Sequence, residues 1–196
     1  DKKHEAVHAA HLPEVRKQEL DHLIDELKRR AEAGVYEHQE KAVSGTGHMG
    51  LFGTGFYSFQ NKTDVKSVRV FIQMCVDLLD MTDDEEMYQR AASVLTKSFR
   101  GMQAAAASVV LHCLKPCTFP VINSNVGSED IFEALGIHLD ARGKLETYIE
   151  NCRKIKIFRD ANFSFKNYRI LDMAAWELSA DPIHRVISQY KDSFAT

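Results

Sequence analysis

Gly101-Met102-Gln103-Ala104-Ala105-Ala106-Ala107-Ser108-Val109-Val110-Leu111, closed by Phe119-Pro120-Val121-Ile122-Asn123-Ser124-Asn125-Val126, is the stretch whose reading decides the fold. It opens with a glycine suited to a tight turn, and continues as a helix of small residues that another backbone can approach closely. A Phe-Pro pair then stops the helical pattern and leads into a second turn rich in Asn and Ser. Just before it, Lys97-Ser98-Phe99-Arg100 places two bases beside the first turn.

Working outward, helical periodicity dominates. Residues 13–33 predict a helix, with Pro13 in its first turn, Val15, Leu20, Leu23, Ile24 and Leu27 on one face, and Gly34 as its stop. Thr63-Asp64 is a cap for a helix over 65–80, whose apolar residues Val65, Val68, Phe71, Ile72, Cys75, Val76 and Leu79 form a wide stripe. Thr82-Asp83-Asp84-Glu85 opens the next helix with acids at the positive end of its dipole. Further helices are expected at about 102–114, 128–136, 143–155, 167–178 and 182–190, giving a mostly α, multi-helix fold. Asp172 and Trp176, four apart, are assigned to the core and its hydrogen bonding. The expected organisation is an N-terminal helical segment (1–43), a glycine- and aromatic-rich loop (44–61) and a helical domain (62–196).

That loop holds five of the chain's ten glycines, yet no Lys-Ser/Thr follows them and no Gly-x-Gly-x-x-Gly opens a helix, which argues against nucleotide hydrolysis. Its aromatics Phe52, Phe56, Tyr57 and Phe59 suit either stacking on exposed bases or sealing a core edge. At 196 residues, 44% hydrophobic and 27% charged, the chain has the composition of a water-soluble globular domain. No apolar run reaches the roughly 18 residues of a membrane span, so no membrane partner is expected. Asp1-Lys2-Lys3-His4 reads as the interior of a longer protein, and an excised domain is the expectation. The scattered cysteines Cys75, Cys113, Cys117 and Cys152 read as reduced, buried thiols of a cytoplasmic protein. His112-Cys113-x-x-x-Cys117 lacks a second ligand pair, and His4, His8 and His11 read as a solvated polar face, so neither metal nor cofactor is expected.

The net charge of −3 is unevenly spread. Residues 77–86 carry six acids and no base, whereas residues 151–171 carry Arg153, Lys154, Lys156, Arg159, Lys166 and Arg169 against the single acid Asp160. The segment Ile155–Arg169 interleaves these bases with Phe158, Phe163, Phe165 and Tyr168. Two readings stand: a nucleic-acid surface in which cations meet phosphates and rings meet bases, or a core-sealing segment with snorkelling cations.

The quoted stretch resembles the core of the helix-hairpin-helix (HhH-GPD-like) DNA glycosylase superfamily. There a glycine-rich hairpin grips a DNA phosphate through backbone N–H groups, and a Pro-(Val/Ile)-(Leu/Ile)-Asp-Gly-Asn-Val or Val-Asp-Thr-His-Val turn carries the catalytic aspartate. Here the turn is Pro-Val-Ile-Asn-Ser-Asn-Val, so Asn123 stands in the aspartate's place, and Ala105 stands where bifunctional members carry a lysine nucleophile. The resemblance implies a phosphate contact at Gly101 and Gln103, supported by Lys97 and Arg100, with Gln103 replacing the hairpin's second glycine. It further implies a base pocket at Asn123, Ser124, Asn125 and Tyr168, with Arg153, Lys154, Lys156, Arg159, Lys166 and Arg169 along the DNA backbone. The competing account of Ala104–Ala107 is a tightly packed helix pair. Phrases such as Leu111-His-Cys-Leu-Lys-Pro116, Phe158-Arg-Asp160 and Asn167-Tyr-Arg169 also resemble accessory regions of McrB-type, modification-dependent restriction NTPases, implying an AAA+ motor elsewhere in a parent protein. The expected function is DNA binding with inspection of a flipped or modified base and no cleavage. The alternatives are a protein-interaction scaffold and, third, an active N-glycosylase using Glu129 or Asp130.

Overall fold

The computed structural model describes residues 18, 20–32, 65–96, 99, 102–122, 132, 135–141 and 143–180. The 44–61 stretch, the 182–190 segment and the body of the 128–136 helix lie outside the described residues. Among the described residues the secondary structure is helical, without strands, so the all-α expectation holds at that level.

Residues 20–32 form α1, whose Leu23, Ile24, Leu27 and Ala31 recur at helical spacing and are buried. They belong to the same hydrophobic core as buried residues of the helices that follow. Val65–Leu79 is α2, with Phe71, Met74 and Leu78 turned inward. Its C-terminal end is closed from across the fold: Lys115 Nζ donates to the Leu79 and Met81 carbonyls, both at 2.8 Å, where a cation also suits the helix dipole.

Asp84–Leu95 is α3, capped as expected, with the Asp83 carboxylate accepting from Glu86 N at 2.9 Å and three acids in the first turn. Ala104–Leu114 is α4, and its Ala104, Ala107, Ser108 and Leu111 are fully buried. α3 packs on α2 and on α5 (Leu145–Asn162), and α4 packs on the same two helices, closing a ring of four around the core. Tyr168–Ala180 is α6, begun by the Asn167 side chain accepting from Arg169 N at 2.9 Å. Asp172 is half-buried, while the Trp176 side chain lies outside the described residues.

Two features depart from or sharpen the sequence reading. α5 runs to Asn162 rather than 155, because the residues read as a surface segment keep helical support: Lys156 pairs with Asp160 at i,i+4 and Asn162 Nδ2 donates to the Phe158 carbonyl. Gly136 adopts φ +79°, and Ile137 N donates to Phe132 O at 2.8 Å, a bond that closes a turn through a left-handed glycine.

Candidate functional site

The backbone from Pro116 to Ile122 leaves α4 through a turn at Pro116–Thr118 and continues without a β-ladder; Thr118, Phe119, Pro120 and Ile122 are buried, so carbonyls along it must find donors elsewhere. They find them on side chains from α3, α4 and α5 and on one backbone N–H at the start of α6. Tyr88 Oη on α3 donates to Thr118 O at 2.9 Å, and Tyr148 Oη on α5 donates to Pro120 O at 2.8 Å. His112 Nδ1 on α4 lies 2.8 Å from Phe119 O; a carbonyl only accepts, which makes Nδ1 the protonated nitrogen. Arg159 Nη1 donates to Cys117 O, and Tyr168 N at the start of α6 donates to Pro116 O at 2.9 Å. Ser108 Oγ accepts from Ile122 N at 3.1 Å, while Thr118 Oγ1 donates to Asp84 at 2.7 Å. The Phe119 ring sits between Tyr88 and Tyr148, centroids 5.7 and 6.5 Å away.

This frame is electrostatically quiet. Desolvation pushes the Tyr88 and Tyr148 phenols far above their ordinary value of 10.0 and lowers His112 below 6.5, so all three stay neutral donors around neutrality. The segment ends at Ile122, directly before Asn123, Ser124 and Asn125, which lie outside the described residues. Sequence alone marks neither Tyr88 nor Tyr148, and it weighs His112 only as half of a metal site and Ser108 only as part of a small-residue helix. The usable signal was a polar group on the inward face of an apolar helix, which demands a buried partner.

A second feature lies where α4 and α5 begin. Ala104 N donates to Gly143 O at 3.2 Å, bringing the two helix N-termini together, and neither Gln103 nor Lys144 caps its helix with its side chain. Phe99, Met102, Gln103, Gly143, Lys144, Leu145 and Glu146 line a cleft there of about 180 Å³. Further along α5, the fully buried Asn151 accepts from Asp140 N at 2.7 Å and donates to Asp140 O at 2.8 Å. Gln103 is exposed at the start of α4. Gly101, Lys97 and Arg100 lie outside the described residues.

The charges segregated in sequence meet in space. Glu85 binds Arg153 at 2.6 Å, and Arg153 also reaches Glu150 at 3.3 Å. Lys154 pairs with Asp140 at 2.9 Å, and Lys156 with Asp84 at 3.2 Å and Asp160 at 2.6 Å. Asp160 also takes Arg159 at 2.8 Å and Lys166 at 2.9 Å. Desolvation raises this carboxyl, but hydrogen bonds from Lys156, Lys166 and Arg159 outweigh it and hold the group well below its ordinary 3.8. Five of the six basic residues expected along DNA thus carry an internal carboxylate partner. The Arg169 side chain is exposed and makes no ion pair among the described residues, and the same holds for Lys144.

Arg159 and Tyr168 correct the surface reading most plainly. Each is 1% exposed, with the guanidinium carbon 4.3 Å from the Tyr168 ring centroid, so neither faces a groove that DNA can enter. The physical reason is that Arg159 closes the buried junction of α5, α6 and the Pro116–Ile122 segment, where carbonyls needed a fork of donors. Tyr168 Oη is buried without a hydrogen-bond partner. Phe158, Phe163 and Phe165 likewise form a packed chain of rings, 5.8 and 4.8 Å apart, that seals the core.

The cysteines also differ from expectation: all four are free thiols, but only Cys152 is buried, Cys75 is half-buried, and Cys113 and Cys117 are exposed. No group of three potential metal ligands converges among the described residues. No helix among them is long and apolar enough to cross a membrane. Comparison with protein-family models, with curated proteins and with solved structures gave no match.

Proposed function

We propose that this chain is a DNA-binding module that reads a base without cleaving it, within a larger restriction or defence protein whose AAA+ motor hydrolyses nucleotide. The observation that carries the proposal is the Pro116–Ile122 frame: the five carbonyls from Pro116 to Pro120 and the Ile122 N–H are held by donors and acceptors from four helices, directly before Asn123 in sequence. Such over-determination suits a turn whose amides must meet a base edge at fixed geometry. The cleft at the α4 and α5 N-termini, with Lys144 at its rim and Gly101 before it in sequence, suits a phosphate. Asn123 supplies hydrogen bonds but no negative charge, so the chemistry stops at recognition.

The internal ion pairs make the expected electrostatic term small. Arg169, Lys144 and the largely exposed Lys166 remain to replace counterions, so affinity falls only modestly with salt, with a log–log slope of about −2 to −3. The test is a titration of modified and unmodified duplexes at two salt concentrations, with Gly101→Val and Lys144→Glu alongside. Weaker binding by both variants at unchanged melting temperature supports the reading. Absence of binding by the parent at low salt refutes it.

The second reading, a protein-interaction scaffold, is favoured by one observation. Ile72, Val76 and Leu79 on α2 are 54%, 50% and 53% exposed, an apolar stripe that the fold leaves uncovered.

A further inference from the structure

The exposed stripe of α2 has a second property, independent of DNA binding: its charges oppose its own dipole. Ile72, Val76 and Leu79 fall at i, i+4 and i+7, on one line of the helix surface. Along the flank of that line, Lys66 and Arg69 stand exposed toward the N-terminal end, and Asp80 and Asp83 stand exposed just past the C-terminal end. Cations near a helix N-terminus and anions near its C-terminus are both unfavourable within a single helix. The first turn of α2 contains no acid and the last turn no base, so nothing in the helix itself compensates. Neither Lys66, Arg69 nor Asp80 has an ion-pair partner among the described residues.

A charge order that disfavours the isolated helix becomes favourable beside a copy running the other way. In an antiparallel pair of α2 helices related by a two-fold axis between Met74 and Cys75, position 69 of one copy faces position 80 of the other. The contact occurs twice by symmetry, while Ile72 and Val76 of the two copies meet at the centre. The two dipoles then also oppose one another. We infer that the chain self-associates as an isologous dimer through the outer face of α2, with Ile72, Val76 and Leu79 as the apolar seam and Arg69–Asp80 as the reciprocal charge pair.

One helix face per subunit buries less than the about 1,600 Å² of a standard interface, so the association is weak and concentration-dependent. Sedimentation-velocity runs on the full chain, from low micromolar to near-millimolar protein, should move from monomer to dimer and no further. Val76→Glu, at a half-exposed position, should keep the monomer's spectrum and melting temperature while abolishing the dimer. Arg69→Asp should weaken association by about tenfold or more through two like-charge contacts, and Arg69→Asp with Asp80→Arg should restore it. A parent that stays monomeric throughout overturns the inference. So does a Val76→Glu variant that dimerises like the parent, or a charge swap that fails to rescue.

Discussion

Removing the Asp160 carboxylate tests whether the polar junction of α5 and α6 holds the fold together. In Asp160→Ala, Arg159 keeps its Nη1 bonds to the Cys117 and Lys166 carbonyls and its place over Tyr168, but Nε and Nη2 lose their acceptor. Lys156 retains Asp84, and Lys166, 58% exposed, returns to water at little cost. The penalty therefore falls on one guanidinium that is 1% exposed. Breaking a buried pair by removing one partner costs about 3–5 kcal/mol; because Asp160 itself is 31% exposed, water can enter the vacancy, and the lower end, about 3 kcal/mol, is expected. For a domain of this size that is roughly 6–12 °C in melting temperature. Urea and thermal melts of the parent, Asp160→Ala, Arg159→Leu and the double variant measure it, and the double should cost less than the sum of the singles. The carboxyl is depressed in the native state, so its contribution is complete above its ordinary 3.8 and is lost as pH falls below that value. Stability of the parent should decline below about pH 4, and Asp160→Ala should decline less there. A single variant that melts within about 2 °C of the parent refutes the reasoning.

His112 supplies a second pH test: its native pKa lies below 6.5, so its contribution is full above that value and is lost as pH falls through it. Melting temperature should drop between about pH 7.5 and 5.5, and His112→Gln, which keeps a donor for Phe119 O, should flatten the slope in that window. The parent should release no base from damaged, mismatched or methylated duplexes at stoichiometric protein, whereas trace release by Asn123→Asp would support a glycosylase-like geometry. Base release by the parent itself would overturn the binding-only proposal and direct attention to Glu129 and Asp130.

Local chemistry made much of the helical skeleton legible. Asp83 caps α3 because Asx caps are decided within four residues. The α2 stripe departs from expectation: of the residues assigned to it, Phe71 is buried, Val68 and Cys75 are half-buried, and Ile72, Val76 and Leu79 are exposed, because a helix apolar on several faces does not mark Met74 and Leu78 as the pair that turns inward. The sequence reading shortened α5 because it judged Ile155–Arg169 by composition, where Lys156–Asp160 pairing and inward Ile155 keep the helix going. Charge was harder still: acids at 84–85 and bases at 153–156 look segregated in one dimension, but Glu85 and Arg153, 68 residues apart, share a hydrogen bond. The site frame was illegible for the same reason. A tyrosine at 88 or 148 announces that it needs an acceptor, but nothing local says that the acceptors are the Thr118 and Pro120 carbonyls.

The frame around Pro116–Ile122 also bears on how this protein can change over generations. Its holders grip peptide groups almost exclusively, so what they demand of the segment is a path, with few demands on residue identity. Cys117 is exposed and Val121 half-buried, leaving positions open to exchange without loss of a latch. The residues that follow Ile122 in sequence can be exchanged while the anchors in α3, α4 and α5 stay fixed, which separates change there from the stability of the frame. Related chains should therefore keep Tyr88, Ser108, His112, Tyr148 and Arg159 more faithfully than residues 123–125.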